Sequence, residues 1–141
     1  MALVELVGPD AEIYAIDKDA RALCSQERAM RSRFPVTTLH QLVADFTRPL
    51  ALPVLDGIVV ANALHFQRDQ DEVVRLLRSY LRPSGRLLIV EYNTEHGNLA
   101  VPYPVPYSRW RSLATQAGFA HTELLTKRPS RFLHEIYSAA S

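Results

Sequence analysis

The stretch Leu55–Phe66, reading Leu-Asp-Gly-Ile-Val-Val-Ala-Asn-Ala-Leu-His-Phe, limits the folds open to this chain more than any other segment. Residues 57–61 carry no charge and are dominated by β-branched side chains, and the polar Asn62 and His65 follow directly. A short apolar run of that kind reads as a strand buried on both faces. Such strands belong to parallel sheets covered by helices, and those sheets bind ligands at the carboxyl ends of their strands. The search for function therefore centres on Asn62 and His65.

Helix and strand signals alternate around this stretch. Leu3, Leu6 and Val7 share one stripe of a helix over Ala2–Val7, which Gly8-Pro9 stops. Glu12–Asp17 is a short apolar strand closing on an acid, and Asp19 caps a helix whose Ala20, Leu23, Cys24, Met30 and Phe34 keep to one face until Pro35. A further strand falls within Thr37–Ala44, followed by Asp45-Phe46 and a loop marked by Pro49 and Pro53. Asp69 and Glu72 have capping-box spacing ahead of a helix with Val73, Leu76, Leu77, Tyr80 and Leu81 on one face. Arg82–Gly85 is a turn, and Arg86–Tyr92 returns as a buried strand ending near Glu91.

Ser108 is placed to cap a helix with Trp110, Leu113, Ala114 and Ala117 inward and Gly118 as its stop. Two strands close the chain, at about Ala120–Thr126 and Phe132–Ser138, and the short link Lys127–Arg131 suits an antiparallel pair. Between Asn93 and Tyr107, prolines 102, 104 and 106 alternate with valine and tyrosine. This segment reads either as a lid over a ligand or as an extended spacer with its tyrosines on the surface.

A chain of 141 residues suits one domain spanning 1–141. A domain of that size buries roughly 68% of its unfolded surface and needs no disulfide or metal to hold a core. Sixteen basic against 15 acidic residues argue against nucleic acid or an anionic membrane as partner. Arg28, Arg31 and Arg33 then read as a solvated helix face rather than an RNA site. No run approaches the ~18 apolar residues of a membrane span and the N-terminus has no basic leader, so a soluble cytoplasmic protein is expected. Cys24, the only cysteine, reads as a small buried apolar residue more than as a nucleophile. With His40, His65, His96, His121 and His134 it shows no metal-ligand spacing, and no metal is expected.

Four segments taken in order carry a resemblance: Val7-Gly8-Pro9 leading to Ile16-Asp17, Ala44-Asp45-Phe46, Asp56–Phe66, and Leu81–Glu91. With the helix ending Ala117-Gly118-Phe119 and the final strand pair, the chain resembles the class I S-adenosylmethionine-dependent methyltransferases of small-molecule type. The resemblance implies an α/β, Rossmann-like three-layer sandwich, mostly parallel, with a C-terminal antiparallel strand pair. It also implies roles for particular residues. Asp17 would bind both ribose hydroxyls of the cofactor, with Lys18 beside it; Asp45 would accept from the adenine amino group, with Phe46 against the ring; Asn62 would line the same side. Read by themselves, Asp17 and Asp45 are equally helix caps or solvated turn acids, and Phe46 a core residue. His65 is either a general base for the methyl acceptor or a hydrogen-bonded structural residue.

One part of the family pattern is not found. The family opens with a strand and a glycine-rich loop, whereas Gly8 is the only glycine before Gly57 here. Relative to the family, the sequence starts within the first helix, short of about one strand-and-helix unit. In the family that first strand lies between the second and the fourth. Without it, Glu12–Asp17 and residues 57–61 are expected either to pair directly or to be covered by another copy in a homo-oligomer. The resemblance thus implies methyl transfer from S-adenosylmethionine to a small molecule. Two rivals stand beside it: a remnant without cofactor binding that serves as an assembly module, and a nicotinamide-dependent oxidoreductase whose ribose Asp17 would also hold.

Overall fold

The computed structural model describes residues 2–141. Its contacts divide into two compact units, Met1–Leu50 and Ala51–Ser141.

In the first unit, helix α1 (Ala2–Val7) ends at Gly8, whose φ of +91° and N–H···O bond to Val4 (2.9 Å) form the expected glycine stop. Strand β1 (Glu12–Asp17), helix α2 (Ala20–Arg33) and strand β2 (Thr38–Val43) form a βαβ crossover. The strands pair in parallel, from Glu12 opposite Thr38 to Asp17 opposite Val43. Asp19 is the N-cap of α2 and accepts from the Arg21 N–H at 2.8 Å. Leu23 and Met30, seven positions and two turns apart, form the inward stripe of α2. Cys24 is exposed, contrary to the expectation of burial, because it lies about 100° around the helix from that stripe.

The second unit holds β3 (Leu55–Ala61), a 3-10 turn (Leu64–Phe66), α3 (Gln70–Ser79), β4 (Leu81–Tyr92), α4 (Tyr107–Gln116), β5 (Glu123–Pro129) and β6 (Glu135–Ala140). Its sheet order is β3-β4-β6-β5, with β3 parallel to β4 and the other pairings antiparallel. Helix α3 makes the crossover from β3 to β4 and buries Val73, Val74 and Leu77, each contributing about 1.5–3 kcal/mol.

Several local expectations are corrected. Strand β3 is not buried on both faces: Val60 is its one buried residue and Val59 is 43% exposed, because β3 is an edge strand with β4 as its neighbour in that sheet. Within each unit the first strand pairs with the strand reached through the helix that follows it, the βαβ arrangement closed over the shortest stretch of chain. Asp69 is the N-cap of α3, yet its side chain makes no cap bond, so the Asp69/Glu72 box does not form.

The turn expected at Arg82–Gly85 lies inside β4 as a register shift, Leu55 facing Leu81 and Gly57 facing Arg86. A Cβ on Gly85 would meet the Arg82 carbonyl at 3.0 Å, which explains glycine at that point. The C-terminal hairpin turns three residues later than its spacing suggests. Ser130 Oγ accepts from the Phe132 and Leu133 N–H groups, and His134 adopts φ +51°, closing the turn over 130–134 and leaving Lys127 paired opposite Tyr137.

Candidate functional site

The sequence-predicted residues fall in both units. In the first unit Asp17 and Asp45 follow the parallel strands β1 and β2 at their carboxyl ends, brought side by side by the bond from the Ala44 N–H to the Asp17 carbonyl (3.0 Å). Asp17 Oδ1 accepts from the Asp19 N–H at 2.9 Å, while no described residue hydrogen-bonds its other oxygen. A carboxylate has about four acceptor positions, so Asp17 can still receive two hydroxyls of a vicinal diol. Its helix-side bond does not exclude that role.

Asp45 is more fully engaged. Its Oδ1 accepts from both the N–H (3.0 Å) and hydroxyl (2.7 Å) of Thr47, and its Oδ2 pairs with Lys18 Nζ at 2.9 Å. The Thr47 hydroxyl, then Lys18 and the Thr47 amide, lower the Asp45 pKa to about 2. Lys18 therefore neutralises Asp45. Phe46 is half-buried.

In the second unit Asn62 follows β3 with φ +50°, a left-handed conformation that asparagine tolerates, and its N–H donates to the Val90 carbonyl at 2.9 Å. That turn swings the chain into the 3-10 turn carrying His65. His65 is 3% exposed, and its Nδ1 lies 2.7 Å from Oε2 of the fully buried Glu91. The other oxygen of Glu91 accepts from the Ala63, Leu64 and His65 N–H groups at 3.1, 2.9 and 3.3 Å. Three amide donors on one oxygen match a carboxylate at the start of a helical turn. With Glu91 accepting, Nδ1 is the donor of this bond and Nε2 is the ring nitrogen left outside it. No described residue hydrogen-bonds Nε2.

The segment 93–106 packs against the rest of the second unit. Val101 and Val105 are fully buried, and the Tyr137 hydroxyl donates to the Val105 carbonyl at 2.8 Å. The Tyr103 N–H donates to the His65 carbonyl (3.0 Å), so this strap holds a carbonyl of the turn whose amides Glu91 holds. The start of α4 is satisfied by Asn93, whose Oδ1 accepts from the Tyr107 N–H at 3.0 Å; Ser108 lies within the helix and does not cap it. Burial, with the neighbouring Glu91 charge, drives the Tyr137 phenol pKa far above its usual range.

The methyltransferase-domain family matches this chain over residues 1–89. The chain belongs to that family. No curated protein matches it by sequence. Among solved structures, a candidate O-methyltransferase from Nostoc punctiforme PCC 73102 superimposes with a TM-score of 0.74 at 16% identity, covering 99% of this chain and 47% of that one. The S-adenosylmethionine-dependent methyltransferase SibL, in its apo form, gives 0.69 at 18% identity over 98% of this chain and 45% of its own. The N-terminal domain of EvdMO1, solved with S-adenosylhomocysteine bound, gives 0.72 at 14% identity, over 99% and 68%. The methyltransferase domain thus has the α/β, Rossmann-like fold of the class I type, and it spans less than half the length of the first two of these structures.

Two polar residues of this methyltransferase domain were not singled out by sequence. Glu91 carries one visible signal, an acid closing the apolar run Leu87–Val90. Gln70, 1% exposed, donates to the Tyr103 carbonyl at 2.8 Å and accepts from Arg109 Nε at 2.6 Å, joining α3, the strap and α4. Nothing local marks it. Among the described residues no group of three or more His, Cys, Asp or Glu stands close enough to hold a metal, and no helix is long and apolar enough to cross a membrane.

Proposed function

We propose that this domain takes part in methyl transfer from S-adenosylmethionine to a small molecule, with His65 as the base that receives the acceptor's proton. The observation that carries the reading is the buried Glu91–His65 pair, which leaves Nε2 unbonded at the carboxyl end of the β3–β4 pair. When bound, S-adenosylmethionine supplies a methyl group on a positively charged sulfur, an electrophile that needs alignment and exclusion of water more than covalent help. Asp17 accepts the ribose hydroxyls through its unshared oxygen. Asp45 keeps one acceptor position on Oδ2 for an adenine amino group, with Phe46 beside it and Lys18 holding its charge. In the second unit the main chain of Asn62 leads into the His65 turn. Glu91 fixes the ring tautomer with a lone pair at Nε2 and stabilises the imidazolium formed when that atom takes a proton.

The test is a calorimetric titration of the chain with S-adenosylhomocysteine, with Asp17→Ala alongside. Binding of about micromolar strength that the substitution removes is expected. A folded chain that binds no S-adenosylhomocysteine overturns the reading and favours a remnant that acts through assembly.

A further inference from the structure

Gln70 opens α3, a position where a polar side chain ordinarily reaches water, yet it is 1% exposed. Burying an amide costs free energy unless both of its ends are bonded, and here both are. Its Oε1 accepts from Arg109 Nε at 2.6 Å and its Nε2 donates to the Tyr103 carbonyl at 2.8 Å. Tyr103 in turn donates its N–H to the His65 carbonyl at 3.0 Å, and His65 donates from Nδ1 to Glu91 at 2.7 Å. Every link donates in the same direction, from an arginine to a buried carboxylate. The direction is fixed at its start, because a guanidinium has only donors and so claims the oxygen of the Gln70 amide, leaving the NH2 group for Tyr103. A charged donor on that oxygen also polarises the N–H that the Tyr103 carbonyl receives.

The strap has little of its own with which to hold Tyr103. Pro102, Pro104 and Pro106 have no N–H, so between 102 and 106 only Tyr103 and Val105 carry one. The Tyr103 ring is 42% exposed and is a weak anchor. Bonds from outside set the strap instead: Tyr137 at the Val105 carbonyl, Asn93 at the Tyr107 N–H and Gln70 at the Tyr103 carbonyl. Of these three, Gln70 is the one that bonds the residue bonded to His65.

We propose that Gln70 is a positioning residue for His65, with Arg109 setting the direction of its amide. Gln70 holds the Tyr103 carbonyl, Tyr103 holds the His65 carbonyl, and the imidazole keeps its place against Glu91. Without Gln70 the Tyr103 carbonyl is left without its donor, the strap relaxes at that residue, and the turn carrying His65 loses the bond that steadies it from the strap. The use of this alignment rests on the methyl-transfer reading; the alignment itself does not.

The experiment follows, by NMR of the full chain, solvent exchange of the His65 Nδ1 proton in the wild type, Gln70→Leu, Arg109→Met and Val74→Ala. Gln70→Leu removes both amide bonds at similar volume. Val74→Ala truncates a fully buried residue of the same helix and destabilises the fold without touching the bonded series. Urea brings the four proteins to equal global stability before exchange is compared, so a purely structural loss cancels. Expected is exchange about tenfold faster in Gln70→Leu, the factor carried by about one lost hydrogen bond, about threefold faster in Arg109→Met, and unchanged in Val74→Ala. Gln70→Leu exchanging like Val74→Ala, or Arg109→Met exchanging like the wild type, overturns the proposal. Arg109 is exposed, so its variant decides the matter should Gln70→Leu not fold. Each protein is also titrated with S-adenosylhomocysteine. Binding with no change in exchange would sink the positioning role alone, and faster exchange in a chain that binds none would sink methyl transfer while the positioning stands.

Discussion

Replacing Glu91 by leucine removes the acceptor for four donors at once: the Ala63, Leu64 and His65 amides and His65 Nδ1. The Ala63 amide is part-buried and can turn to water, but the other three are buried. At about 1–3 kcal/mol for each orphaned donor, the unrelaxed cost is roughly 3–9 kcal/mol. Opening of the short turn and the apolar burial of the new leucine offset part of this. The expected loss is about 3–5 kcal/mol, the range for breaking a buried pair from one side, against a total stability of about 5–15 kcal/mol. Glu91→Gln separates packing from protonation. Its amide oxygen still receives the three amides, at a loss of about 1–2 kcal/mol for exchanging charged for neutral hydrogen bonds. Its NH2 group, however, faces Nδ1 and forces the ring proton onto Nε2, removing the lone pair a base needs. Urea denaturation at constant m reads the first effect, and long-range proton–nitrogen NMR of the His65 ring reads the second. A leucine variant within about 0.5 kcal/mol of wild type, or a glutamine variant whose Nδ1 stays protonated, refutes the reasoning.

Asn62→Gly should leave stability within about 0.5 kcal/mol, whereas Asn62→Ala should lose about 1–2 kcal/mol, because the alanine Cβ is strained at φ +50°; equal denaturation midpoints would show that the turn carries no such demand. Tyr137→Phe orphans the Val105 carbonyl at a cost of about 1–3 kcal/mol, and hydrogen exchange should quicken along 101–107 before it does in β4; unchanged protection there would mean the strap is held elsewhere. Asp45, with its pKa lowered from 3.8 to about 2, contributes stability that is present above the unfolded value and lost as pH falls through the folded one. The stability difference between wild type and Asp45→Asn should therefore shrink between pH 4 and pH 2, and a gap that is flat across that window contradicts the Thr47 and Lys18 assignment.

Where the pattern is local, the sequence is readable. The α3 stripe, the Asp19 cap, the glycine stops at Gly8 and Gly118 and the strand runs all depend on neighbours within one or two turns, and each appears near its expected place. Errors arose where a local rule competed with a distant partner. Ser108 has a cap's chemistry, but Asn93, 14 residues earlier, supplies the bond. Cys24 is apolar by type and faces away from the stripe that Leu23 and Met30 define. The candidate site divides in the same way. Asp17 closes β1, Asp45 and Asn62 follow β2 and β3, and His65 lies in the 3-10 turn beyond; each is visible in the sequence as a polar residue after an apolar run, while the roles of Asp17 and Asp45 come from the family resemblance. Glu91 reaches partners 26 to 28 residues back, and Gln70 reaches Tyr103 and Arg109 across 33 and 39 residues, so no window along the chain contains their geometry.

The strap has a consequence for how such a domain diversifies. Its anchors and its free positions alternate: Val101 and Val105 are fixed in the core, while Leu99 and Tyr103 have exposed side chains, 104% and 42% respectively. Prolines at 102, 104 and 106 restrict the backbone before any side chain is chosen, which lowers the entropy that ordering costs. A mutation at Leu99, or in the ring of Tyr103, is thereby insulated from the fold, since the main-chain bond to His65 survives any residue but proline. Drift can rewrite the outer surface of the strap while the histidine beneath stays in register, and a library restricted to those two positions would sample new surfaces without sampling unfolded proteins.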